Sequence, residues 1–140
     1  MKKSRNPKKQ ISMGKVVIPT GHPSPPESHE VDAAFILANH FNCTIEFIMP
    51  IDDYKRKTAD IIMNGIEWEM KSPIGDSKST IGNQFRKASK QSHNVIIDAH
   101  RTKIKDSIIE RSVLFELKSR PSVRSVILIT KKNEVLVFKK

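Results

Sequence analysis

From about residue 31 onward, apolar side chains recur in blocks at either helical or strand spacing. The first block carries Val31, Ala34, Phe35, Ala38 and Phe41 on one stripe, which predicts a helix beginning at Glu30. Ser28 is its expected N-cap, Glu30 and Asp32 suit the first-turn dipole, and Asn42 is a fitting stop. A strand over Thr44 to Met49 follows, then Pro50 and a polar loop through Lys57.

Two apolar-rich runs then flank Asn64-Gly65, the dipeptide that suits a type I′ hairpin turn. Alternation puts Ile61, Met63, Ile66, Trp68 and Met70 on one face, and Asp60, Ile62, Glu67, Glu69 and Lys71 on the other. A helix over about Thr80 to Ser92 comes next, its inner face Ile81, Gln84, Phe85, Ala88 and Gln91. Asn94 to Ala99 reads as a strand, Lys105 to Ser119 as a helix stopped before Pro121. Val123 to Thr130 and Glu134 to Phe138 form a closing hairpin around Lys132-Asn133. The order helix, strand, strand, strand, helix, strand, helix, hairpin predicts an α/β fold: a mixed sheet flanked by helices.

Residues 1–29 have a different character. Lys2, Lys3, Arg5, Lys8 and Lys9 precede Pro19, Pro23, Pro25 and Pro26, a density that excludes a helix interior. The expectation is a basic, Pro-rich arm over 1–29, tied on through Val16-Val17-Ile18, and one domain over 30–140. At 140 residues there is room for one core.

Charge changes the picture. The 25 Lys and Arg against 15 Asp and Glu leave a net charge of +10, which attracts polyanions, nucleic acid among them. The lone Cys43 excludes an intramolecular disulfide and a cysteine-built zinc site. No run approaches the roughly 20 apolar residues of a membrane span, and no apolar segment follows the basic N-terminus as in a secretory signal.

Pairing outward from Asn64-Gly65 sets Asp60 opposite Glu69, with Lys71 two residues on along the same face. Facing carboxylates repel, so a divalent cation is expected between them. Oxygen ligands favour Mg2+ or Mn2+, with Zn2+ a weaker choice. A metal site on Asp60 and Glu69, with Lys71 beside it, is the chemistry of phosphodiester hydrolysis. The bland alternative is a solvated strand face with a Glu-Lys pair.

Asp60, followed after a hairpin by Glu69-x-Lys71 and flanked by helix–strand units, resembles the PD-(D/E)XK nuclease core over about residues 30–100. Ala59 stands where a proline often precedes the aspartate. More narrowly, residues 59–75, Gln84-Phe85 and 88–98 are similar to C-terminal toxin domains of contact-dependent inhibition CdiA proteins, over about 55–135. That resemblance implies a tRNA nuclease, with DNA the substrate in some relatives. It also implies a cognate immunity protein and action in the cytoplasm of a target cell after delivery by another segment or partner. The nuclease resemblance brings the helix after Glu69-x-Lys71 near the site, so Gln84 and Gln91 become metal or phosphate contacts, or else polar helix residues satisfied by neighbouring backbone. Lys87 on that helix is counted with them. Glu30 either reaches the site from the first helix or simply complements its dipole. Asp98, His100 and Arg101 end a strand, where ligands often bind, or begin a solvated loop.

Two other readings stand beside this one. A metal-independent RNase of the barnase or colicin-like kind would draw on His93, His100, Arg101, Thr102 and Lys103. A non-catalytic nucleic-acid-binding module would use the basic surface but give Asp60 and Glu69 no purpose.

Overall fold

The computed structural model describes residues 14–50 and 58–140. The basic cluster at Lys2 to Lys9 and most of the polar loop before Asp60 (51–57) lie outside the described residues. The elements are β1 (Lys15–Val17), α1 (Ser28–Phe41), β2 (Thr44–Phe47), β3 (Ile61–Met63), β4 (Ile66–Lys71), α2 (Thr80–Ala88), β5 (Asn94–Asp98), α3 (Asp106–Ser119), β6 (Ser125–Ile129) and β7 (Val135–Lys139). The seven strands form one mixed sheet in chain order, β1 to β7. Pairing is parallel for β1–β2, β4–β5 and β5–β6 and antiparallel elsewhere. The expected α/β architecture, with its helix–strand–strand–strand–helix–strand order, is what forms.

Helices cover both faces. Below α1 lie Ile45, Phe47, Ile61, Trp68, Met70 and Ile96. Below α2 and α3 lie Val95, Ile97, Val126 and Leu128. The interior strand β5 is therefore apolar on both faces, as a parallel strand between two helical layers must be.

The Asn64-Gly65 hairpin has the expected register: Met63 pairs with Ile66, Ile62 with Glu67, Ile61 with Trp68. Asn64 at φ 52° and Gly65 at φ 80° supply the two left-handed residues of the turn. One residue departs from the expected faces: Ile66 is 47% exposed, because it sits at the turn beyond the cover of α1.

In α1 the structure corrects both cap and face. Glu27, not Ser28, is the N-cap, and Glu27 N–H donates to Glu30 Oε1 at 2.8 Å. Asn42, at φ 52°, ends the helix as expected. The buried stripe is Ala33, Ala34, Leu37 and Ala38, while Phe35 is 46% exposed. Small residues face inward because the chain before β1 approaches α1 closely. A Cβ on Gly14 would sit 2.1 Å from the Ala38 carbonyl carbon. β1 thus joins the sheet as its edge, through Lys15–Val17 rather than through Ile18.

The second helix is shorter than expected. It ends at Ala88, and residues 89–91 turn away, with Gln91 N–H donating to Ala88 O at 2.9 Å. Ser92 Oγ and Asn94 Nδ2 both donate to Glu67 O, at 3.0 and 3.2 Å, which fixes this turn against β4.

Candidate active site

The parallel strands β4, β5 and β6 end on the same edge of the sheet, where ligands of α/β folds commonly bind. Lys71 closes β4 and Asp98 closes β5. Asp60 enters β3 at that edge, and its N–H donates to Trp68 O at 3.1 Å. The first turn of α1 places Glu30 there too, on the rim of two adjoining hollows. The larger, about 550 Å³, is lined by His22, Pro25, Glu30, Asp60 and Gln91 among others. The smaller, about 110 Å³, is lined by His29, Glu30, Lys71, Ser72, Asp98 and Arg101, with Met70 at its floor.

Glu69 is 2% exposed, so its strand face is covered rather than solvated. Its Oε2 faces Lys71 Nζ at 3.2 Å and accepts from Gln91 Nε2. Its Oε1 is buried without a hydrogen-bond partner. Asp60 Oδ2 accepts from Met70 N–H at 2.8 Å, a backbone contact that holds the carboxylate toward β4.

Burial, then the Asp60 charge, pushes the Glu69 carboxyl up to about 7, with Lys71 opposing. Asp60 is also raised, chiefly by burial, with the charge of Glu30 adding to it while the Met70 N–H works against it. Two adjacent carboxyls that resist joint ionisation are what a divalent cation relieves. The two carboxyls lie within hydrogen-bond reach of each other, and an all-oxygen set suits Mg2+ or Mn2+ better than Zn2+. Among the described residues no group of three or more His, Cys, Asp or Glu side chains could hold a metal ion.

The other sequence-predicted residues divide. Gln91 reaches the site, but from the turn after α2 and not from a helix face shared with Gln84. Gln84 stays half-buried on α2 and Lys87 is exposed there; neither takes part in the contacts around Glu69. Glu30 completes the cap of α1 and lies on the rim near Asp60, whose carboxyl its charge helps raise. Asp98 is buried and Arg101 lies on the rim beside Lys71.

His100 is tied down on both ring nitrogens. Nδ1 donates to Asp98 Oδ1 at 2.6 Å, and Nε2 meets the Asn133 side-chain amide at 2.6 Å. This pins the loop after β5 to the β6–β7 turn, a structural task. His93 lies before β5, bonded to Ser122 O at 2.7 Å, so the length of a five-residue strand, roughly 16 Å, separates it from His100. Thr102 Oγ1 donates to Gly75 O at 2.6 Å and accepts from Ile104 N–H, and Lys103 is exposed. Of the residues named for metal-independent acid–base transfer, His93 thus lies apart from the consecutive His100, Arg101, Thr102 and Lys103, of which the His100 ring and Thr102 hydroxyl are already hydrogen-bonded within the fold.

Sequence reasoning missed His29, whose ring accepts from Arg101 Nη1, and Ser72, whose buried Oγ has no partner. A histidine in a helix first turn and a serine after a strand carry no local signal for either role.

Against known proteins, the model of the contact-dependent growth inhibition CdiA C-terminal domain family matches residues 57–135. A chain of the solved CdiA-CT/CdiI toxin and immunity complex from Burkholderia pseudomallei is similar in fold, with a TM-score of 0.54 at 15% identity, covering 91% of this chain and 100% of that one. None of the curated proteins compared with the chain matches it. The family match takes in Asp60, Glu69, Lys71, Gln91, Asp98 and Arg101, while Glu30 lies before it.

Proposed function

The chain belongs to the contact-dependent growth inhibition CdiA C-terminal domain family, and from that premise we propose that it is a toxic effector that hydrolyses phosphodiester bonds as a metal-dependent nuclease. The observation that carries the reading is the close pairing of the Asp60 and Glu69 carboxyls, both raised by burial, with the Lys71 ammonium 3.2 Å from Glu69 Oε2. In this reading the fold is a PD-(D/E)XK-like nuclease core, with Asp60, Glu69 and Lys71 catalytic. Asp60 and Glu69 would hold Mg2+ or Mn2+, which would supply positive charge against the phosphate.

The chain's own residues do the rest. Gln91 and Lys71 fix one oxygen of Glu69, so the other points at the site. The Met70 N–H does the same for Asp60. Lys71, half-buried, offers its remaining N–H donors to a phosphate oxygen and stabilises charge that grows there. The net charge of +10 draws the polyanion in.

The substrate in this reading is tRNA, with DNA the alternative. The partner is a cognate immunity protein, and the place of action is the cytoplasm of a target cell reached with the help of another segment or protein. No helix among the described residues is long and apolar enough to cross a membrane. The test is incubation of the protein with total tRNA and with plasmid DNA, each in Mg2+ and in EDTA, beside Glu69→Ala. Cleavage is expected in Mg2+ only and is lost in Glu69→Ala. RNA cleavage that persists in EDTA and in Glu69→Ala would overturn the site.

A further inference from the structure

The small hollow next to the carboxylate pair has a feature that nuclease chemistry does not consume. Arg101 projects from the loop after β5, and its Nη1 donates to His29 Nε2 at 2.8 Å, across 72 residues of chain. His29 Nδ1 lies 3.4 Å from the same Nη1 and 3.5 Å from Glu27 Oε1. The guanidinium is therefore held by an imidazole ring and not by a carboxylate. Among the described residues no carboxylate lies within ion-pair distance of Arg101, although Glu30 and Asp98 line the same hollow. The Asp98 carboxylate is occupied instead by His100, through both its backbone N–H and its ring.

A cation with no carboxylate partner keeps its full charge and most of its five donors for a ligand. The Lys71 ammonium belongs to the same hollow, and Ser72 lines it too, with a hydroxyl that is buried and without a hydrogen-bond partner. Planar guanidinium, ammonium and hydroxyl together fit a phosphate group. We propose that His29, Arg101 and Ser72 form a phosphate-binding subsite for the nucleic-acid backbone next to the bond that Asp60, Glu69 and Lys71 attack. Arg101 is the binding residue and His29 its positioning residue. The proposal rests on the nuclease reading for what it adjoins, but phosphate binding is measurable without cleavage.

The test uses the full chain with fluorescently labelled total tRNA in EDTA, with polarisation read from 50 to 300 mM NaCl. Arg101→Ala is expected to weaken binding roughly tenfold at 100 mM salt and to lower the slope of log K against log salt by about one. His29→Ala lowers affinity less, and His29→Gln, whose amide oxygen can still accept from the guanidinium, stays near wild type. Lys118→Ala, on the exposed side of α3, is the control for losing a charge anywhere. The subsite is overturned if Arg101→Ala behaves like Lys118→Ala, or if wild type binds tRNA without salt dependence. Equal loss in His29→Ala and His29→Gln overturns the positioning role. Cleavage in Mg2+ is assayed in parallel. Wild type that cleaves while Arg101→Ala binds and cleaves normally sinks the subsite alone. Wild type that never cleaves, yet loses affinity in Arg101→Ala, sinks the nuclease reading and keeps the subsite.

Discussion

Glu69 is the residue on which stability and function pull in opposite directions. Its folded-state carboxyl is raised from 4.5 to about 7. A raised carboxyl means the fold prefers the neutral acid, so its contribution is fully present below about pH 4.5 and is lost as pH climbs through about 7. Each pH unit in that window is worth about 1.4 kcal/mol, so in the metal-free protein the loss approaches on the order of 3 kcal/mol by pH 8. Glu69→Gln keeps the shape and cannot ionise. Its stability relative to wild type, from urea unfolding in EDTA, should therefore rise by roughly 2–3 kcal/mol between pH 5 and pH 8. A difference that stays flat across that range would mean Glu69 is not held in the strained ionic state the site requires.

At the scale of elements, the first turn of α1 is where one residue serves two purposes. Glu30 Oε1 accepts from Glu27 N–H, and the same turn carries His29 and faces Asp60. Glu30→Ala should cost roughly 1 kcal/mol in chemical denaturation, as the loss of a helix cap does. Glu30→Gln keeps an acceptor oxygen and should cost less than half as much. Equal losses would show that its charge, not its cap, supports the helix. This same element marks where sequence patterns stop being informative. The Asn64-Gly65 hairpin was legible because a two-residue turn sets the register outright, and with it the approach of Asp60 to Glu69. In α1 the stretch Val31 to Ala38 is apolar nearly all round, so periodicity cannot choose the inward stripe. The choice is made by the close approach of Gly14 to Ala38, a contact from outside the helix. The second helix lacks a glycine or proline at its end, so nothing in its pattern announces that Gln91 leaves it. The Arg101–His29 contact joins residues 72 apart and has no local signature at all.

For the whole molecule, the question is whether a cation should be welcome on a protein of net charge +10. The overall field repels Mg2+, so diffuse ion binding gives this chain no reason to become more stable in it. Any gain must come from a local group that binds the ion in the folded state alone, and in the proposed reading the raised carboxyls of Asp60 and Glu69 are that group. A ligand present at a hundred times its dissociation constant stabilises by about 2.7 kcal/mol. For a chain of this size that is a rise in Tm of roughly 8 °C. The rise should be larger at pH 8 than at pH 6, because below about pH 7 the ion must first displace a proton from Glu69. Scanning calorimetry of wild type, Asp60→Ala and Glu69→Ala, each in Mg2+ and in EDTA at both pH values, decides it. Wild type should gain and the two variants should not. Equal gains in all three would place the cation elsewhere on the surface and leave the carboxylate pair without its counter-charge.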